Sequence, residues 1–165
     1  MVSKGVCAVA AVALLLWPQD ALTSGPADAS ACTAGAAKTA WMSFLRAFAA
    51  GNYARLDSMF AQDPDFGWYS ANAPGLRRTA EAKNRATLVR YFQTRHRQHD
   101  RMNLLTFAYH GDGNFTYRLR RSALDYKSGA WFGLIGKGAV RCTGEAPQFV
   151  VVSLGGPGSD NPTRR

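Results

Sequence analysis

The sequence predicts an α+β domain in which a curved antiparallel sheet covers amphipathic helices. Three observations carry this expectation. Early in the chain apolar residues recur with the period of a helix, and later they alternate with the period of a strand. The strand-like segments follow one another through short loops, the first rich in Gly, Asp and Asn, which joins neighbours antiparallel. The length, 165 residues with 47% hydrophobic and 19% charged, suits one globular domain with a sizeable core.

Trp41, Phe44, Leu45 and Phe48 stand at i, i+3, i+4 and i+7, a single apolar stripe on a helix. Gly51-Asn52 ends that helix, since glycine accepts the left-handed conformation and asparagine caps the next start. A second, shorter helix follows with Tyr53, Leu56, Met59 and Phe60, and the polar run Ala61 to Asp65 stops it. Phe66 to Ser70 reads as a strand. Pro74-Gly75 turns the chain into a short second strand, and Thr79 is placed to cap a long helix from about Ala80 to Asp100. Along that helix Leu88 and Phe92 lead to His96, joined by Tyr91, Arg95 and His99. The inner stripe therefore starts apolar and becomes titratable, so one end belongs in the core and the other meets water or a cavity.

Four strands complete the domain. Asn103 to His110 puts Leu105, Phe107 and Tyr109 on one face, and Gly111-Asp112-Gly113-Asn114 is a hairpin loop. Phe115 to Ala123 puts Phe115, Tyr117, Leu119 and Arg121 on one face and Thr116, Arg118, Arg120 and Ser122 on the other. Trp131 to Cys142 contains Gly133, Gly136 and Gly138, which predict a bend or bulge. Gln148 to Leu154 has a valine run, expected to be covered on both faces. Gly155 to Arg165 is polar, rich in Gly and Pro, and expected to be disordered.

The first 29 residues are expected to be a secretion signal rather than part of the fold. Lys4 precedes a 13-residue apolar run from Gly5 to Trp17, and Ala27-Asp28-Ala29 fits the small-residue cleavage rule. A permanent anchor would need roughly 20 residues. Ala29-Ser30-Ala31-Cys32 is a weak lipobox, so acylation of Cys32 is the alternative route. The domain proper is then 30–154, secreted or extracytoplasmic. Export removes one lysine and two aspartates, which raises the net charge from +9 to +10. Such a domain is attracted to anionic surfaces of the cell envelope. Its arginines are dispersed and lack any recognition helix or zinc finger, so no nucleic-acid partner is expected. Removal of Cys7 leaves Cys32 and Cys142, which predict one disulfide in an oxidising compartment. Two free thiols are the other reading.

The stripe with Trp41, the Gly51-Asn52 corner, the Leu56/Met59/Phe60 helix and the Phe66-to-Ser70 strand with Trp68-Tyr69 resemble the opening of the nuclear transport factor 2-like superfamily, SnoaL-like proteins among them. The resemblance implies a cone of curved sheet wrapped around a long helix, preceded by two N-terminal helices, with a pocket at the open end. It also implies dimerisation through the outer sheet face, where Arg118 and Arg120 would make a wet or weak homodimer. Isomerase-like members use a carboxylate base with Tyr and Asp donors, dehydratase-like members paired histidines, and epoxide-hydrolase-like members an Asp-Arg-Asp set. None of these can be laid on this chain residue by residue.

What remains for chemistry is a short set. Arg121 and Asp125 fall on the face of Tyr117 if the strand persists, as an acid/base or ion pair, with His96 as the third catalytic candidate. Trp68, Tyr91, Tyr109, Tyr117 and Arg121 are the candidate pocket wall. His96, His99 and Asp100 share a helix end, but without a further ligand nearby they do not predict a metal, and no cofactor is expected. Gly136-Lys137-Gly138 lies within a strand and reads as a bulge aiming one lysine, not as a phosphate loop. The leading expectation is a non-catalytic domain that binds a small apolar or amphiphilic ligand. The alternatives are a SnoaL-like isomerase, cyclase or dehydratase, and a basic interaction module for the anionic envelope.

Overall fold

The computed structural model describes residues 32–71, 80–144 and 146–155. The expected signal segment, the Pro74-Gly75 turn, the Thr79 cap and the tail beyond Gly155 lie outside the described residues. Helix α1 (Ala34–Ala49) begins at Thr33, whose hydroxyl accepts the Ala36 N–H at 3.1 Å. It buries Trp41, Phe44, Leu45 and Phe48, the stripe set by their spacing. Gly51 takes φ +63°, and the Asn52 side chain caps α2 (Tyr53–Ser58) by accepting the Arg55 N–H.

After strand β1 (Gly67–Ser70) the reading needs correction. Residues 80–82 are not the start of a helix but strand β2 (Ala80–Ala82), paired antiparallel with β1. Helix α3 (Arg85–Arg97) starts five residues later than expected, with Asn84 rather than Thr79 as its cap. The local reason is that Asn84 is extended and offers a carboxamide oxygen to Thr87 N–H, while Ala80, Glu81 and Ala82 find backbone partners on β1. Arg85 then fastens α3 to α2, donating to the Asp57 carboxylate at 2.7 Å and to the Asp57 carbonyl at 2.6 Å.

Strands β3 (Arg101–Gly111), β4 (Asn114–Ser122), β5 (Phe132–Arg141) and β6 (Gln148–Leu154) form a meander, and the six-stranded curved, open sheet runs β2-β1-β6-β5-β4-β3. All neighbours are antiparallel except β1 and β6, which run parallel. On β6 only Phe149, Val152 and Leu154 are fully buried, so its outer face is half covered rather than sealed.

The concave side is solid with aromatic rings. Trp41 lies 4.2 Å from the Tyr117 ring and 5.1 Å from Phe44. Phe44 in turn meets Phe60, Trp68, Phe92 and Phe149 within 6.3 Å. Each fully buried ring of this kind stabilises the domain by about 1.5–3 kcal/mol. Cys32 and Cys142 are bridged across 110 residues, tying the start of the described chain to the end of β5. Closing so long a loop stabilises by about 4–5 kcal/mol in the chain-entropy account.

A bulge in β3 and the glycines of β5 shape the two faces of the sheet. Leu104 pairs with Leu119 and Thr106 with Arg118, so Leu105 is an extra residue, a bulge. It separates Leu105 from Phe107 and Tyr109 and turns it outward, 55% exposed. The glycines of β5, by contrast, do not bulge against β4, whose register with β5 is unbroken from Asn114↔Ala139 to Arg121↔Phe132. Instead Gly136 lies opposite Tyr117 and Gly138 opposite Phe115, and the two rings fold down over the bare backbone. A Cβ on Gly136 would lie 2.3–2.4 Å from atoms of the Tyr117 side chain, which cannot retreat because Trp41 packs on it and its hydroxyl donates to the Ser153 carbonyl at 2.9 Å. Gly136→Ala is therefore expected to destabilise by about 1–3 kcal/mol through overpacking, measured by urea unfolding.

Candidate functional site

The titratable end of α3 meets the end of β4, and there the fold buries a polar cluster. Tyr91 and Arg95 are one turn apart on α3 and so point the same way. The helix ends in a left-handed residue, His99 with φ +52°, and this returns Asp100 towards the helix axis. The Asp100 N–H reaches the Arg95 carbonyl at 3.1 Å and the His99 N–H the His96 carbonyl at 2.9 Å, the paired bonds of a Schellman ending. Glycine usually fills that corner. A histidine there costs roughly 1–2 kcal/mol of backbone strain, and the contacts of Asp100 offset it.

Asp100 is fully buried between two guanidinium groups. Arg95 Nε donates to its Oδ2 at 2.7 Å, and Arg121 Nη2 donates to the same oxygen at 2.6 Å. Arg121 Nε donates to both oxygens at 3.1 Å. The remaining Arg121 donors go to Ser70 Oγ at 2.9 Å, the Ala71 carbonyl at 2.8 Å and the Tyr91 hydroxyl at 3.0 Å. All five N–H groups of Arg121 therefore have acceptors. Tyr91 passes its own proton to Ser70 Oγ at 2.8 Å. Arg95 closes the network by a two-pronged contact to Asp125, at 2.5 and 3.0 Å. Two cations thus face two carboxylates.

Burial opposes the charge on both arginines, yet the neighbours win. Arg95 is raised above its ordinary value by Asp125 and Asp100, and Arg121 is raised further by Tyr91 and Asp100. Asp125 is held below the usual carboxylate range, chiefly by the hydrogen bonds from Arg95. Burial pushes the Tyr117 hydroxyl well up, against a smaller opposing pull from Arg121.

A different surface lies on the convex side of the sheet. A groove of about 310 Å³ is lined by Leu105, Arg118, Arg120, Trp131, Gly133 and Ile135, among others. The guanidinium carbons of Arg101 and Arg120 stand 5.9 and 5.5 Å from the Trp131 ring centre. A second cleft, about 520 Å³, separates α1 and α2 from the β5–β6 loop and carries Arg55, Ser58, Thr143 and Gln148 on its walls.

By sequence the chain matches no protein-family model and no curated protein. Solved structures do match. A protein from a soil-derived mobile gene cassette, Bal32a, superposes with a TM-score of 0.58 at 14% identity, over 73% of this chain and 88% of that one. The beta subunit of benzoate 1,2-dioxygenase from Burkholderia mallei gives 0.57 at 12% identity, over 74% and 89%. A putative polyketide cyclase from Sinorhizobium meliloti gives 0.55 at 12% identity, over 70% and 93%. The chain has the nuclear transport factor 2-like fold. At such identities these neighbours speak for the nuclear transport factor 2-like architecture and not for an activity.

Within that fold the expected site residues part company. Arg121 and Tyr91 share the buried cluster, with Trp68 packed 5.7 Å from the Tyr91 ring. Asp125 does not pair with Arg121, because β4 ends at Ser122 and the chain turns away, delivering the carboxylate to Arg95. His96 belongs to neither. It is exposed, its Nδ1 3.0 Å from the Tyr53 hydroxyl, since the helix face one residue on from Arg95 already looks outward. Tyr109 stands six residue pairs from Arg121 along the β3–β4 ladder, roughly 20 Å, where it donates to the Cys32 carbonyl and accepts the Gly113 N–H. Tyr117 is spent on Ser153. His99 satisfies a helix carbonyl with its backbone N–H rather than its ring. Among the described residues no group of three or more His, Cys, Asp or Glu could hold a metal ion. Asp100, the centre of the cluster, carries one signal in the sequence beyond a share in a helix-end metal pattern: an acid placed just after a basic helix end.

Two outcomes test this account. Asp100→Asn leaves two buried guanidinium groups short of one charge and is expected to cost about 3–5 kcal/mol by chemical denaturation. The Asp125 effect has a defined sign. A carboxylate whose folded pKa is depressed contributes stability above its unfolded pKa of about 4 and loses it as pH falls through the lower folded value. The stability difference between the wild type and Asp125→Asn should therefore be constant from neutrality to about pH 4 and shrink below it, as followed by urea unfolding across that range.

Proposed function

We propose that the protein is a non-catalytic binding module of the extracytoplasmic space, and that it engages an anionic partner through the convex face of its sheet. One observation carries this reading: the interior groups that could do chemistry are already satisfied, while Arg101, Arg120 and Lys137 on the outer face have no carboxylate partner among the described residues. Arg121 has no donor left for a substrate, Asp100 is enclosed by two arginines, and the described interior is occupied by the protein's own aromatics. General acid/base work needs a group free to exchange a proton with a bound molecule. On the outside, among the described residues, Arg101 and Arg120 make ring contacts with Trp131 alone, and Lys137 is exposed on β5.

A second reading, a small apolar or amphiphilic ligand held in the cone, is favoured by a specific feature. The indole N–H groups of Trp41 and Trp68 are buried without an acceptor among the described residues, and an orphaned donor of this kind costs about 1–3 kcal/mol. An acceptor on a ligand would relieve that cost.

Salt elution from an immobilised polyanion such as heparin separates the two. Arg120→Glu with Lys137→Glu should lower the eluting salt concentration well below that of Lys38→Glu with Arg90→Glu, which makes the same change of net charge on the helices. Equal losses in the two variants, together with a co-purified molecule seen by native mass spectrometry, would transfer the weight to the ligand reading.

A further inference from the structure

The convex groove combines two chemistries that a merely solvated basic face does not need. Its cations form a line. Arg101 sits diagonally across from Arg120, Arg118 follows two residues along β4, and Lys137 sits diagonally beyond Arg118 on β5. Each step is about 7 Å. Within that line, side chains that belong in a core are displayed. Leu105 is 55% exposed because the bulge in β3 turns it out, and Trp131 is 38% exposed beside it in the same groove. Leu124, at the same end of the sheet as Trp131, is 51% exposed.

Resting on the outer-face reading, we propose that the partner is an anionic lipid bilayer. Leu105 and Trp131 enter the headgroup boundary and Arg101 and Arg120 bind lipid phosphates. A guanidinium held near an indole by a cation–π contact keeps its N–H groups available for two-pronged contact with a phosphate. An indole is itself suited to the boundary between water and acyl chains. A second copy of the chain is a poor occupant, because a two-fold contact would bring one line of cations against the other. A soluble polyanion would satisfy the cations but would leave Leu105 and Trp131 in water. Among the described residues no helix is long and apolar enough to cross a membrane, so docking through this face is peripheral.

Tryptophan fluorescence tests the proposal, since Trp41 and Trp68 are buried and Trp131 is exposed. The probe is the full chain carrying Trp17→Phe, mixed with vesicles of bromine-labelled phosphatidylglycerol or phosphatidylcholine. Quenching on the anionic vesicles alone, absent when Trp131→Phe is added, is the expected result. Arg101→Glu with Arg120→Glu should lower the partition coefficient roughly tenfold or more, and Leu105→Ser should lower it without altering the salt dependence. Vesicle binding without quenching of Trp131 would overturn the proposal, the N-terminal apolar segment then being the anchor. Shielding of Trp131 by soluble polyphosphate but not by vesicles would overturn the lipid assignment and leave the anionic-partner reading standing. Concentration-dependent dimerisation that hides Trp131 would overturn both.

Discussion

A guanidinium taken out of water must find an acceptor for every N–H it owns, and Arg121 does so with groups from three separate places in the chain. Ser70 and Ala71 come from the end of β1, Tyr91 from α3, Asp100 from the corner after α3, and Arg121 itself from the end of β4. No subset of these satisfies it. The helix can therefore end only where Asp100 reaches the node, and this accounts for the left-handed histidine at 99, a conformation that a histidine otherwise avoids. Arg95 repeats the device at the surface, where Asp125 balances the second charge.

This saturation has a functional corollary. Where α3 meets the end of β4 the buried titratable groups are held in a structural junction. The adjacent space is closed by rings packed against α1, with Gly136 and Gly138 leaving room for Tyr117 and Phe115 to lie flat. The exposed cations and the exposed apolar side chains meet instead on the convex face. A single bulge contributes to that arrangement, because it alone moves Leu105 out of the line of Phe107 and Tyr109.

Sequence reading went furthest where an element is decided by its own residues. The stripe of α1, the Gly51-Asn52 corner, the Asn-containing hairpin and the two-residue alternation of β4 all follow from local geometry, and each lies within a few residues of its expected position. It failed where a partner elsewhere in the chain chooses between two local options. Residues 80–82 have no strong preference, and β1 makes them a strand. His96 and Arg95 are neighbours with equal claim to the inner face by composition, and the buried carboxylate decides for the arginine. Tyr109 and Tyr117 share strand parity with the cluster, but distance along the ladder removes the first and a carbonyl on β6 removes the second.

By itself, then, the sequence determined an α+β domain, the apolar stripe of α1 and its end at Gly51, the start of α2 and the inward set on β4. These depend on steric preferences and periodicities that act within a few residues. Only the tertiary structure decided which carboxylate meets which arginine, which strand runs parallel, and that a leucine of β3 faces outward. Those outcomes depend on satisfying buried charge and backbone groups across the whole chain, and no local pattern encodes a partner that lies dozens of residues away.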